Sequence, residues 1–394
     1  MIMKDMILDR IKRVPPSGIR KYFDLINEMK DVISLGVGEP DFITPWNIRE
    51  AGIYSLEHGH TQYSSNAGFI ELREEISAYL QRKFSLEYNP VDEILVTVGG
   101  SEGIDAALRA LVGPGDEVII PEPSFVAYKG CTGFTGASAV TIPLKQENEF
   151  KLTAEELENA ITDKTKVVII PFPNNPTGAI MTREDLYELV KVLKDRNIVV
   201  LSDEIYCELT YEGSHTSIAS FPEMKEQTVV INGFSKSFAM TGWRLGYACG
   251  HRDLISEMKK IHQYGIMCAP TTAQDAAIEA LQNSEDDVLM MAKEYNRRRR
   301  VMVDGFQKSG YSSFEPKGAF YVFPNIKSSG LSSDEFCERL LMEQKVLVVP
   351  GTAFGDCGEG YVRACYASSM ENIIEAMKRI KTFTDSLRGT LRPV

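Results

Sequence analysis

Seven short apolar segments, spaced along the middle of the chain and set apart by helical patterns, constrain the fold more than any other feature. They lie at 94–98, 117–121, 139–143, 167–171, 198–202, 228–231 and 245–249, and several are nearly unbroken runs of Val and Ile. Runs without alternating polar residues suit strands whose two faces are both covered. Helical spacing fills 102–111, 154–161 and 183–196 between them. Thr153 with Glu156 and Thr182 with Asp185 are start signals, each a side-chain acceptor followed by an acid three residues on. This alternation predicts an α/β fold whose large domain, about 45–280, carries a doubly wound, mostly parallel sheet. Beyond it, "GAFYVFP" (318–324), "KVLVVPG" (345–351) and "GYVRACYA" (360–367) fall among helices, and a closing helix begins near Glu371. That mixture predicts a smaller α+β domain made of 281–394, with 1–44 packed against it.

Composition narrows the function. The 394 residues carry a net charge of −12, which speaks against nucleic acid as a partner. One basic run, Arg297 to Arg300, falls in a helical stretch; four consecutive residues point all round a helix, so most of them are expected in solvent. The seven cysteines form no C-x-x-C pair and several lie in apolar runs, so packed thiols in a cytoplasmic protein are expected. No metal-binding pattern appears, and His58-Gly-His60 reads as a loop. The first 22 residues are charged throughout, unlike a signal peptide, and no stretch approaches 18 uncharged apolar residues, so no membrane is expected.

Five stretches that follow or interrupt strand-like runs look built for chemistry, and in open α/β sheets such positions gather where ligands bind. In "VTVGGSEGIDAALRAL", Gly99, Gly100 and Ser101 lead from a strand into a helix, an anion cradle or merely a turn. The lysine of a nucleotide P-loop is missing. In "PFPNNPTGAIMT", three prolines stiffen a loop that presents Asn175, unless it is a plain Pro-Gly turn. In "VVLSDEIYCEL", Asp203 and Glu204 end an apolar run, with Tyr206 three residues past Asp203; helix capping by Asp203 is the alternative. In "YVRACYASS", Arg363 lies inside an apolar strand, where a guanidinium is costly unless it meets an anion such as a carboxylate. In "INGFSKSFAMTGWRLGYACG", Lys236 stands between two serines with Arg244 eight residues on.

A lysine, a carboxylate, a phenol, an anion cradle and arginines together suit a lysine that forms a Schiff base with pyridoxal 5′-phosphate. The carboxylate would keep the pyridine nitrogen protonated. Positive charge nearby, including Arg244, would lower the lysine's pKa.

The order of "GEPDF", "NNPTG", "SDEIY" and "SKSFAMTGWRLG" resembles the class I/II, fold-type-I aminotransferases over about residues 30–370. The resemblance implies roles at matching positions. Lys236 is the Schiff-base lysine and proton shuttle, Asp203 the partner of the pyridine nitrogen, and Tyr206 and Asn175 bond the phenolic oxygen. Gly100, Ser101, the backbone of Glu102, Ser235 and Arg244 form the phosphate cup, and Phe125 stacks on the ring. Tyr63 is lent by a neighbouring subunit, implying a homodimer. Arg363 and the backbone of Gly38 hold the substrate's α-carboxylate. Ser237 reads as a helix-start residue.

The implied reaction is transamination between an amino acid and a 2-oxo acid. Tyr206, where related β-lyases tend to carry histidine, favours it over C–S β-elimination. A ring-closing synthase is the other open chemistry. A transcription regulator of this fold would need a DNA-binding domain ahead of the first motif, where only about 30 residues stand. Ser101, where one group of aspartate enzymes has lysine, argues against simple aspartate specificity. "SGIRKYF" and "HQYGIMCA" resemble bacterial N-acetyl-diaminopimelate aminotransferases, with aspartate, aromatic or alanine-type donors as alternatives. Ile19, Arg20, Tyr22 and Phe23 are candidates to contact the substrate side chain.

Overall fold

The computed structural model describes residues 6–16, 18, 29 and 31–390. After a short strand β1 (Ile33–Ser34), its main feature is a seven-stranded sheet built from β2 (Ile94–Thr97), β3 (Glu117–Glu122), β4 (Ser138–Pro143), β5 (Thr165–Ile170), β6 (Val199–Asp203), β7 (Thr228–Gly233) and β8 (Gly246–Cys249), in the order β2-β8-β7-β6-β5-β3-β4. Adjacent strands from β7 to β4 are parallel, and β8 alone runs against both its neighbours. The expected sheet is therefore mixed at one place.

Successive residues of these runs enter opposite cores, so a continuous apolar run is needed to satisfy both faces. Val167 and Ile169 join Ile104 and Leu108 of helix Gly100–Leu111, whereas Val168 and Ile170 join Leu186 and Leu189 of helix Arg183–Leu193. Both anticipated capping boxes form, at Thr153 with Glu156 and at Thr182 with Asp185. A third, Ser332 with Glu335, opens helix Ser333–Gln344.

The smaller α+β part packs helices Glu285–Lys308, Ser333–Gln344 and Met370–Thr390 beside a three-stranded antiparallel sheet. The strands of this sheet are Tyr321–Val322, Val362–Cys365 and Val349–Pro350, with the second in the centre. Its core includes Phe306, Phe320, Phe336 and Phe383. The N-terminal segment divides: Ile33–Ser34 pairs in parallel with Val346–Leu347 of the smaller part. Helix Asp9–Lys12 instead lies beside helix Ala127–Thr135 of the large domain, a correction to the expectation that the whole segment would join the smaller part.

A second correction concerns the arginine run. Arg297 and Arg300 are exposed, but Arg298 and Arg299 are buried. Arg298 Nη1 donates to both carboxylate oxygens of Asp41, at 2.8 and 2.9 Å, and its Nε to Glu294 at 2.9 Å. Arg299 donates to the Pro316 carbonyl. Helix geometry turns two of four consecutive positions toward the core, where acceptors waiting on distant segments make burial tolerable. All seven cysteines are free thiols, and no helix among the described residues is long and apolar enough to cross a membrane.

Candidate active site

Sheet direction assembles the site. Asp203 is the last residue of β6, the Asn175 loop follows β5, Ser235 and Lys236 follow β7, and Gly99 to Ser101 follow β2. Because β8 runs the other way, its amino end reaches this same edge and delivers Arg244 just before it. Gly246 faces both Thr97 and Gly233 across the sheet. A side chain there would start 2.6 Å from the Gly100 nitrogen, so only glycine lets β8 approach the cradle. At Gly99, φ is +75° and an added Cβ would lie 2.9 Å from Arg244 Nη2. The turn therefore needs glycine on both counts.

These elements surround a cavity of about 480 Å³. Gly38, Gly100, Ser101, Phe125, Asn175, Asp203, Tyr206, Ser235, Lys236, Arg244 and Arg363 all line it, eleven of the thirteen residues anticipated for cofactor or substrate. Glu102 and Tyr63 do not. The Glu102 N–H is directed at the Gly99 carbonyl at 3.3 Å, and its side chain points to His262. Tyr63 is 80 % exposed on the surface. Ser237 lies in a buried turn rather than at a helix start. Ile19, Arg20, Tyr22 and Phe23 lie outside the described residues.

Lys236 Nζ donates to the Gly38 carbonyl at 2.7 Å. Its ammonium is lowered to about 8, first because burial penalises the charge; Arg363 and Arg244 add to this while Cys365 and Glu39 oppose it. Burial thus leads, and Arg244 lowers it as expected but as a lesser cause. Asp203 Oδ2 accepts from the Tyr128 hydroxyl at 2.6 Å and Oδ1 from the Ile205 N–H at 3.2 Å. Burial raises its carboxyl, and these two hydrogen bonds work the other way.

The Tyr206 and Tyr321 hydroxyls share a hydrogen bond of 2.7 Å. Arg363 is buried over the Tyr321 ring, 4.5 Å from its centroid, and donates through Nη1 to Asn175 Oδ1 at 3.0 Å. Its Nη2 donates to the Gly36 carbonyl, while its buried Nε has no hydrogen-bond partner among the described residues. A buried guanidinium with an unused donor can take an anionic group, such as a carboxylate.

Two contributors escaped the sequence reading. Tyr128 sits three residues past Phe125 in the same motif, and that spacing on a short helix was the available signal. Tyr321 lies in "GAFYVFP", which reads only as a small-sheet strand; nothing local marks it as part of the site.

The chain as a whole is similar to known proteins. Residues 30–380 fit the family model described as aminotransferase class I and II. The chain belongs to that family. This aminotransferase is 53% identical to a putative aminotransferase, YugH, of Bacillus subtilis, over 97% of this chain and 99% of the other. It is 41% identical to a probable N-acetyl-LL-diaminopimelate aminotransferase of the same organism, over 100% and 99%. The crystal structure of an aromatic aminotransferase from Pyrococcus horikoshii superposes with a TM-score of 0.89 at 42% identity, covering 93% of this chain and 99% of that one. Membership makes the protein an enzyme of pyridoxal-phosphate-dependent transamination, moving an amino group between an amino acid and a 2-oxo acid.

Proposed function

We propose that this aminotransferase holds pyridoxal 5′-phosphate in the 480 Å³ cavity with Lys236 as its covalent anchor. The carrying observation is a single buried amine, lowered to about 8, lining the same cavity as a buried carboxylate and a glycine-rich helix start. The donor set fits the cofactor group by group. The N–H groups at the start of helix Gly100–Leu111, with Ser101, Ser235 and Arg244, would take the phosphate. Phe125 would lie against the ring, Asp203 would bond the ring nitrogen, and Tyr206 with Asn175 would bond the phenolic oxygen. Once bound, the cofactor supplies an electron sink for a carbanion at the substrate's Cα.

The protein's own side chains carry the remaining work. Arg363, already fixed by Asn175 and Gly36, would clamp the substrate α-carboxylate, with the backbone of Gly38 beside it. Lys236, as a free amine, would take the proton from Cα and return it on the other side of the transfer. A tyrosine at 206, hydrogen-bonded to Tyr321, supports transamination over β-elimination.

For the donor we propose N-acetyl-LL-diaminopimelate, supported by the relative of that name spanning this whole chain. The aromatic rings of Phe125, Tyr128, Tyr206 and Tyr321 around the cavity favour a second reading, an aromatic amino acid. A screen of purified enzyme with both donors and 2-oxoglutarate separates them. Turnover of an aromatic amino acid with the acetylated donor inert would overturn the first; product formation without any 2-oxo acid would overturn transamination itself.

We further propose a homodimer in the cytoplasm, with 45–280 as the cofactor-binding domain and 281–394 as the smaller one, joined by the strand Ile33–Ser34. Trp46, Ile53, Tyr54, Leu56, Tyr63 and Tyr264 are large apolar side chains that stand exposed, and a second copy would cover them. Tyr63 would then reach the partner's phosphate cup.

A further inference from the structure

Helix Gly100–Leu111 opens at the cradle proposed for the cofactor phosphate, and its first turn carries an acid, Glu102. That carboxylate does not face the cavity. One oxygen, Oε2, reaches back to accept from the Val98 N–H, closing the turn that runs from β2 into the helix. The other, Oε1, meets His262 Nδ1 at 2.6 Å. His262, on helix Arg252–Gly265, is 1 % exposed, and its Nε2 has no hydrogen-bond partner among the described residues. Its ring therefore makes one hydrogen bond there, to Glu102, and the proton must sit on Nδ1 for it to donate to a carboxylate.

A carboxylate in a first turn interacts well with the helix dipole, but left free to swing it would compete with a phosphate for the same N–H groups. Pinned at both oxygens it does the opposite: it fixes the Val98 to Ser101 turn and keeps its own charge turned from the anion. We propose that His262 is a positioning residue for the cofactor phosphate, acting through Glu102. This rests on the phosphate binding at Gly100 and Ser101. His262 does not line the cavity; the histidine sets the rotamer of Glu102, and Glu102 sets the turn.

The test measures dissociation constants of pyridoxal 5′-phosphate and of pyridoxal, which lacks the phosphate, for the apoenzyme of wild type, His262→Leu and His262→Asn. Asparagine places an amide donor close to where Nδ1 stands; leucine removes it. Pyridoxal 5′-phosphate is expected to bind about tenfold more weakly to His262→Leu, with His262→Asn within about threefold of wild type and pyridoxal unchanged in all three. Should the leucine variant fold poorly, Glu102→Gln and Glu102→Ala make the same comparison, since glutamine still accepts from Val98 and alanine cannot. Equal loss in His262→Leu and His262→Asn, or a loss shared by pyridoxal, overturns the proposal by showing a merely structural role. Wild-type protein that binds pyridoxal as tightly as its phosphate would instead overturn the cradle reading beneath it.

Discussion

Arg363 Nη1 donates to Asn175 Oδ1 at 3.0 Å, joining the central strand of the small sheet to the loop that follows β5. The contact spans 188 residues of sequence and orients a guanidinium that, among the described residues, is otherwise held by Gly36 and two aromatic faces. Arg363→Lys keeps the charge but cannot reproduce that fork. The KM for the amino donor is expected to rise by about ten- to a hundredfold, with the fold unchanged by circular dichroism. An unaltered KM would place the carboxylate clamp elsewhere.

Lys236→Ala should abolish turnover and the visible absorption of the loaded enzyme, while some cofactor stays bound without a covalent link. Borohydride reduction of wild type followed by peptide mass mapping should put the label on Lys236. A label on any other lysine refutes the assignment.

The Lys236 ammonium is lowered from 10.5 to about 8 by burial. Between these values the unfolded chain binds the proton that the folded chain has released, so this group makes apoprotein stability rise with pH across that window. The free amine grows through the same lower limit. The rate at which apoenzyme captures pyridoxal 5′-phosphate should therefore climb with a midpoint near pH 8 and level off above it. A midpoint near 10.5 would mean an ordinary solvated lysine.

Asp203→Ala should leave the protein folded, because the Tyr128 hydroxyl that loses its acceptor lines the cavity, where a water can replace it. Turnover should fall on the order of 10²–10⁴-fold, since the ring nitrogen loses the group that keeps its proton. An unchanged rate would show another residue in that role.

Arg298→Met probes the tie between Asp41 and helix Glu285–Lys308. It removes both bonds to Asp41 and the one to Glu294. Because Asp41 keeps some contact with solvent, the expected loss is about 2 kcal/mol in urea denaturation, less than for a fully buried pair. No loss would mean that the ion pair only offsets its own desolvation.

Much of this protein was legible before its coordinates. The strand runs and the capping boxes at Thr153 and Thr182 depend on neighbours within a few residues, so the sequence alone determined them. That Lys236, Asp203, Asn175 and Arg363 would share one place was anticipated too, because charged or amide groups at the ends of apolar runs or inside them need a reason to be there, and all four line one cavity. What only the tertiary structure decided involves partners far apart in the chain. Nothing local says that β8 reverses direction, that Tyr321 hydrogen-bonds Tyr206, or that Arg298 finds Asp41 across 257 residues. Burial of a charge is settled by whether an acceptor arrives from another segment, and that is a property of packing rather than of spacing.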